Sequence, residues 1–405
     1  MAHDAVLSQK SPQPELAYNS ESEKTAMDHR SNDDTAGEDT ADESSKHELS
    51  NEPPSTAGHD DEPHSEYLHG VQLVTVTACV TLVAFLTLLD TAIVATAVPR
   101  ITDTFHSLKD VGWYAGAYQL GSAVLQPLSG RLYTLFNTKW TFLAFFAVFE
   151  LGSLICGVAT SSTMLIVGRA VSGLGSAGIM NGGLTVIASV VPLHKRAQLT
   201  GIMMGCCQMG IVCGPLLGGV FTQEVTWRWC FYINLPIGGA VAAFLFLIHI
   251  PEQMKKPQPR AVLPQLHRLL DPVGFVLLSA ASVQLLLALQ FGGSQFPWDS
   301  ATVIGLFCGS GATYFIWAGW NYRMGDAAMI PVSMAKKRVV WSAALTQMLF
   351  FINTFMQAFF LPIYFQAVKG SSPLMAGVYM LPNIGMQIIT AVSSGILGKY
   401  IMIRQ

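Results

Sequence analysis

Charged residues are scarce in this chain. Only 12% of its 405 residues are Asp, Glu, Lys or Arg, whereas 51% are hydrophobic, a balance that excludes an ordinary soluble enzyme and places the chain in a bilayer. No G-x-x-x-x-G-K-[ST] run is present, so the phosphate cradle of an ATP-driven pump is missing and an ion gradient is the expected energy source. The seven cysteines include no C-x-x-C pair and accompany no His cluster. They read as small packing residues rather than disulfides or metal ligands. No cofactor, metal or nucleic-acid partner is expected. A basic segment, short apolar core and small-residue cleavage site do not occur in order at the start, so no cleaved signal peptide is expected. The first span serves as the insertion signal.

Acids are also rare outside one region. Of the 26 Asp and Glu, 17 precede Val71, but of the 23 Lys and Arg only Lys10, Lys24, Arg30 and Lys46 do. An acidic tail is thus joined to a basic membrane body. The tail, residues 1–69, has few aromatic or β-branched residues and cannot bury enough apolar surface to offset its ordering entropy, so it is expected to be disordered.

What is present is a series of apolar windows. A helix needs roughly 20 residues to cross about 30 Å of hydrocarbon. Windows of that kind lie at about 71–98, 112–133, 139–160, 163–190, 199–221, 229–250, 272–292, 301–320, 340–362 and 373–396. The expected fold is all-α, a polytopic transmembrane bundle of about ten spans. All eight tryptophans fall near a window's end, as interfacial belts require. With the tail in the cytoplasm, fourteen Lys and Arg lie in inside loops and only Arg100, Lys109, Arg228 and Lys369 in outside ones. That bias puts the N-terminus inside.

Three charges fall within spans: Asp90 in the first, Glu150 in the third and Arg169 in the fourth. An ionised carboxylate costs roughly 2.5–3.5 kcal/mol at mid-bilayer on insertion scales, so each such residue has a partner, a water-filled cavity or a function. Proton binding suits Asp90, whose two protonation states are balanced by desolvation and by neighbouring charge. A fixed structural pair of Asp90 or Glu150 with Arg169 is the alternative, and the sequence leaves open which acid meets the arginine. Polar or aromatic residues at depth, Tyr118, Gln119, Gln208, Asn353 and Gln357, are candidates for lining a substrate cavity, or else for interhelical hydrogen bonds.

Glycines at Gly201 and Gly205, and at Gly210, Gly214 and Gly218, are spaced by four in the fifth span. That spacing lines them on one face for close helix approach. Pro215 removes a backbone donor there, a place for a kink or hinge.

These residues carry a resemblance. The run GIVCGPLLGG, from Gly210 through Gly214, Pro215 and Gly218 to Gly219, resembles motif C, the antiporter signature of the major facilitator superfamily. GRAVSGLGSAG resembles motif B, with Arg169, Gly173, Gly175 and Gly178 at its arginine and glycine positions. The arginine is associated with proton transfer in the family. LLDTAIVATAVP, with Asp90, resembles the first-span signature of the 14-span drug:proton antiporters. WRWCFYINLPIG (Trp227 to Gly238) and LPIYFQAVKGSSPLMAGVYMLP (Leu361 to Pro382) are similar to segments of the fungal branch of those antiporters, which exports toxins and secondary metabolites.

The resemblance implies a helical bundle of two six-span halves with two spans between them. Residues 70–250 form the first half, 251–322 a cytoplasmic loop and the two linker spans, and 323–405 the first two spans of the second half. Against the family pattern four spans are expected to be missing from this sequence, so that the second half is read as incomplete. After the second span, GRLYTLFNTKW keeps Gly130, Leu132 and Lys139 of motif A but has Thr134, Leu135 and Asn137 where an acid, a base and a glycine are expected. Ser129-Gly130-x-Leu132 recurs as Ser394-Gly395-x-Leu397, in keeping with a repeat of the halves.

The implied function is proton-coupled efflux of hydrophobic small molecules across the plasma membrane, or a vacuolar one. The partners are the substrate, protons and the lipid bilayer. Two other readings stand beside it: a shortened relic or subunit that does not transport alone but associates with a partner protein, and a siderophore or amino-acid transporter.

Overall fold

A computed structural model describes residues 67–253, 256 and 270–371, and beyond them 375, 378–383, 385–387, 389, 390 and 393. The chain divides into two units, residues 1–62 and 63–405. The expected tail lies outside the described residues up to position 66, as do Lys255, Arg260 and Arg268 of the cytoplasmic loop and the 394–397 repeat.

Among the described residues the fold is helical. The helices are α1 (Gly70–Phe105), α2 (Val111–Leu135), α3 (Thr138–Gly157), α4 (Ser162–Val190), α5 (Leu193–Glu224), α6 (Trp229–Tyr232), α7 (Asn234–Leu247), α8 (Pro272–Phe291), α9 (Ala301–Met324), α10 (Val332–Ala335) and α11 (Arg338–Ala367). Each of the first nine apolar windows therefore falls on a helix, the sixth on α6 and α7 together. Seven of these segments are long and apolar enough to cross a membrane. The polar side chains of α2 dilute its hydropathy, but its 25 residues have the length.

Local chemistry sets the helix ends. Asn137, Ser161 and Ser300 accept hydrogen bonds from the backbone N–H three residues on, at 3.2, 3.2 and 3.3 Å, capping α3, α4 and α9. His106 closes α1 in the left-handed region at φ 50°. The Glu252 carboxylate accepts from the first backbone N–H of α3, at Thr138, and from its hydroxyl. Lys139 in turn donates to the carbonyls of Phe246 and Ile248 at the end of α7, at 2.8 Å each. A negative group at a helix start and a positive one at a helix end both oppose the helix dipole favourably.

α3 packs along α4, α1 along α5, and α2 along α4. Small residues permit these approaches. A Cβ at Gly173 would run into the Tyr118 carbonyl of α2, and one at Gly175 into the Phe149 backbone of α3. Two apolar cores fill the first half. One is built on Val80, Phe142, Phe146, Phe149 and Ile179, and the other on Ile93, Ile101, Tyr114, Leu165 and Phe231.

α8 and α9 pair with each other, Ser310 donating to the Ala281 carbonyl at 2.8 Å. α8 then packs on α2, with the Gln290 amide against Gly112 and Gly116. α11 is different. Along it Trp341, Leu345, Leu349 and Ile352 are all exposed.

The packing expectation for cysteine is corrected in part. Cys79, Cys156, Cys207 and Cys230 are buried, but Cys206 and Cys308 are exposed, because they lie on helix faces turned away from the described neighbours.

Candidate functional site

Asp90 lies 20 residues into α1, with no exposed surface, and faces Arg169 of α4, which is 1% exposed. An Nη1 of the guanidinium donates to Asp90 Oδ2 at 2.5 Å. The sequence left two acids open for Arg169, and among the described residues its ion-pair partner is Asp90. Arg169 Nε also donates to the Tyr114 carbonyl at 2.9 Å, using that oxygen's second lone pair. The flat guanidinium stands 4.4 Å from the centre of the Tyr118 ring and 5.9 Å from that of Phe231, within cation–π range. Charge, ring faces and backbone thus share the cost of burying one cation.

The second carboxylate oxygen has a partner that sequence reasoning missed. Asn234 Nδ2 donates to Asp90 Oδ1 at 3.3 Å and to Ser153 Oγ of α3 at 3.2 Å. Asn234 is fully buried and is the first residue of α7, following Ile233, whose backbone is itself helical at φ −59° and ψ −29°. One signal was available. It is a bare amide, two residues before Pro236, in an otherwise apolar window. Donors from α4 and α7 therefore converge on the carboxylate carried by α1, and Ser153 of α3 joins them through Asn234.

Such a pair is neutral as a whole while Asp90 is ionised. Removing one charge leaves the other buried and uncompensated, which costs about 3–5 kcal/mol in comparable buried pairs. The arrangement can consequently register a single proton on Asp90 as a large electrostatic change.

Glu150 is not part of this pair. Both of its carboxyl oxygens are shut off from solvent and have no hydrogen-bond partner among the described residues. The group abuts Gly238 of α7, where a Cβ would overlap it, and the Phe146 ring is beside it.

Of the residues that resemble the antiporter motif, Gly210, Gly214 and Gly218 sit along α1. Gly210 abuts the Phe85 carbonyl, Gly214 abuts Ala92 and Gly218 abuts Thr96 and Ile93. Gly219 faces open space, and Pro215 is exposed, with α5 running unbroken through it.

The five cavity candidates do not come together. Tyr118 is buried beneath Arg169 rather than turned to a cavity. Gln119 is exposed on α2. Gln208 of α5 donates to Gln387 at 3.2 Å. Asn353, exposed on α11, accepts from Gln357 at 3.1 Å. An open groove of about 740 Å³ lies instead between α1 and α7, lined by Cys79, Leu82, Pro236, Ile237, Val241 and Phe244 among others, and holds none of the five.

Known proteins resemble this arrangement in sequence and in fold. The chain is 55% identical over 331 residues to the MFS-type transporter pigP of Monascus ruber, covering 82% of this chain and 58% of that protein. It is 51% identical over 347 residues to the efflux pump mlcE of Penicillium citrinum, covering 84% and 63%. It therefore spans about three fifths of the length of these curated relatives. Among solved structures, the proton:xylose symporter XylE, bound to 6-bromo-6-deoxy-D-glucose, superposes with a TM-score of 0.55 at 12% identity. That match covers 80% of this chain and 68% of the symporter and speaks for the fold. The profile of the Major Facilitator Superfamily matches residues 80–405, and with its bundle of apolar helices the chain belongs to that superfamily as a multi-pass membrane protein.

Proposed function

We propose that the protein acts as a proton-coupled exporter of hydrophobic small molecules, of the toxin and secondary-metabolite kind, in the plasma membrane with its N-terminal tail in the cytoplasm. The observation that carries the reading is the buried Asp90–Arg169 pair, in a chain whose relatives include a protein named as an efflux pump. Asp90 takes the proton and Arg169 responds to it. With Asp90 ionised the pair is closed and the seam between α1 and α4 is electrically neutral. Once Asp90 is protonated, Arg169 is left buried without a counter-charge. The bundle then favours a conformation in which water or substrate reaches the guanidinium. A ligand shifts such an equilibrium only by its differential affinity for the two states. The membrane potential adds about 2.3 kcal/mol per charge per 100 mV.

The glycine seam on the other side of α1 supplies a tightly packed contact against which α5 is positioned. Glu150 is a second carboxyl available to the same cycle.

Export is tested with a fluorescent hydrophobic substrate in cells expressing the protein, where accumulation falls if the direction is outward. A rise overturns it. Asp90→Asn is expected to abolish pH-driven transport while membrane insertion is unchanged; unaltered transport by that variant removes Asp90 from the mechanism.

A further inference from the structure

We infer that Asn234 is the positioning residue that holds Asp90 in both of its protonation states, donating to the carboxylate and turning to accept from the carboxylic acid. The inference rests on the reading above in which Asp90 binds the coupled proton.

Three features of the amide lead to it. Its Nδ2 contacts Asp90 Oδ1, the oxygen that Arg169 leaves free. Arg169 occupies Oδ2, so an incoming proton goes to Oδ1. The other contact of Nδ2 is a hydroxyl, Ser153 Oγ, which accepts or donates equally well. The remaining atom, Asn234 Oδ1, is buried and has no hydrogen-bond partner among the described residues. A buried acceptor left unmade costs free energy, and such a group calls for an explanation.

Protonation supplies the explanation. A hydronium ion delivers a proton to Asp90 Oδ1: one of its O–H bonds breaks, leaving water, as the O–H bond of the carboxylic acid forms. The new hydroxyl then confronts the N–H donors of Asn234. The two ends of an amide have nearly the same shape, so a half-turn about the side chain's terminal torsion brings Oδ1 to where Nδ2 stood. The acid now donates to Oδ1, and Ser153 reverses its hydroxyl to do the same. One amide atom is without a partner before the turn and one after it, so the exchange trades like for like. Leucine, aspartate or alanine at this position has no such pair of faces. Because Asn234 opens α7, the state of Asp90 is felt within the sixth span.

The test uses the full chain in phosphatidylcholine vesicles and follows the infrared C=O stretch of protonated carboxyl groups as pH is varied. The band that titrates in the parent protein and is lost in Asp90→Asn belongs to Asp90. In Asn234→Leu its midpoint is expected to rise by about one pH unit, a roughly tenfold gain in proton affinity. The lost bond to the carboxylate is charge-assisted and outweighs the lost bond to the acid. The band itself is expected to move to higher frequency, because the acid no longer finds an acceptor. Asn234→Ala, smaller and without a branched side chain to misfit, repeats both changes if the leucine variant does not fold. An unmoved midpoint and an unmoved band in these variants overturn the inference alone. If no band sensitive to Asp90→Asn titrates at all, the coupling reading falls and the inference with it.

Discussion

Toward α5, α1 presents backbone and the small side chains of Ala92 and Thr96 to Gly210, Gly214 and Gly218; toward α4 and α7 it presents the Asp90 carboxylate to Arg169 and Asn234. The first seam is held by shape and contains no charge at those contacts. The second is held by charge and by two hydrogen-bond donors. Dispersion between close-packed backbones is indifferent to pH and responds steeply to volume. An ion pair out of water responds steeply to one proton and much less to a methylene. One helix therefore carries a contact set by shape on one side and one set by charge on the other, the division of labour that the proposed proton-coupled cycle would use.

The comparison breaks most visibly at the charged seam. Arg169→Met leaves Asp90 buried without a counter-charge and is expected to destabilise the protein by about 3–5 kcal/mol, read by unfolding the purified chain in detergent. The double variant Asp90→Asn with Arg169→Met removes both charges and is expected to recover much of that loss. A double variant as unstable as the single one would mean that packing, not charge, holds this seam. At the glycine seam Gly214→Val drives a branched side chain into Ala92 and the Ile93 backbone, an overpacking expected to cost about 1–3 kcal/mol. Gly219→Ala, one position beyond the last packed glycine and facing open space, is the control. Its effect is expected to stay within about 0.5 kcal/mol.

Much of this was legible in the sequence. Long apolar runs determine that helices form and roughly where, because a backbone in hydrocarbon has to satisfy its own hydrogen bonds. Asp90 and Arg169 stood out for the same reason: a charge among apolar residues is visible in one dimension. Which acid meets Arg169 was not visible, since pairing depends on how α1, α3 and α4 are rotated about their axes. Tyr118, a candidate for substrate contact or an interhelical hydrogen bond, lies buried with its ring centre 4.4 Å from the Arg169 guanidinium. Asn353 and Gln357 sit at a suitable depth, but on a helix that contacts little of the first half. Depth follows from the window, whereas facing follows from neighbours. Asn234 escaped notice because a lone amide carries no charge, and its importance comes entirely from which carboxylate it touches.

Glu150 is the residue on which the contrast between the seams is sharpest, and its expected effect is the smallest. It is the other intramembrane acid of the first half, yet it has neither an arginine nor an amide facing its oxygens among the described residues. A carboxylate stripped of water and left unpaired costs many times more than an uncharged carboxyl in the same place, and groups so placed neutralise instead. If Glu150 holds its proton, Glu150→Gln exchanges one neutral planar group for another of nearly equal volume. At a pH low enough that the carboxyl is protonated in the unfolded chain as well, stability is then expected to change by no more than about 0.5 kcal/mol. At neutral pH the unfolded parent gives up that proton whereas the folded chain keeps it, so the parent loses stability as pH rises and the variant does not. A Glu150 that ionises as readily in the fold as in the unfolded chain gives a difference that does not change with pH. Unfolding Glu150→Gln beside the parent chain at acid and neutral pH separates these outcomes. A gain for the variant that appears at neutral pH and vanishes on acidification identifies Glu150 as a neutral wedge between α3 and α7 and leaves Asp90 as the acid whose charge the first half has been built to hold.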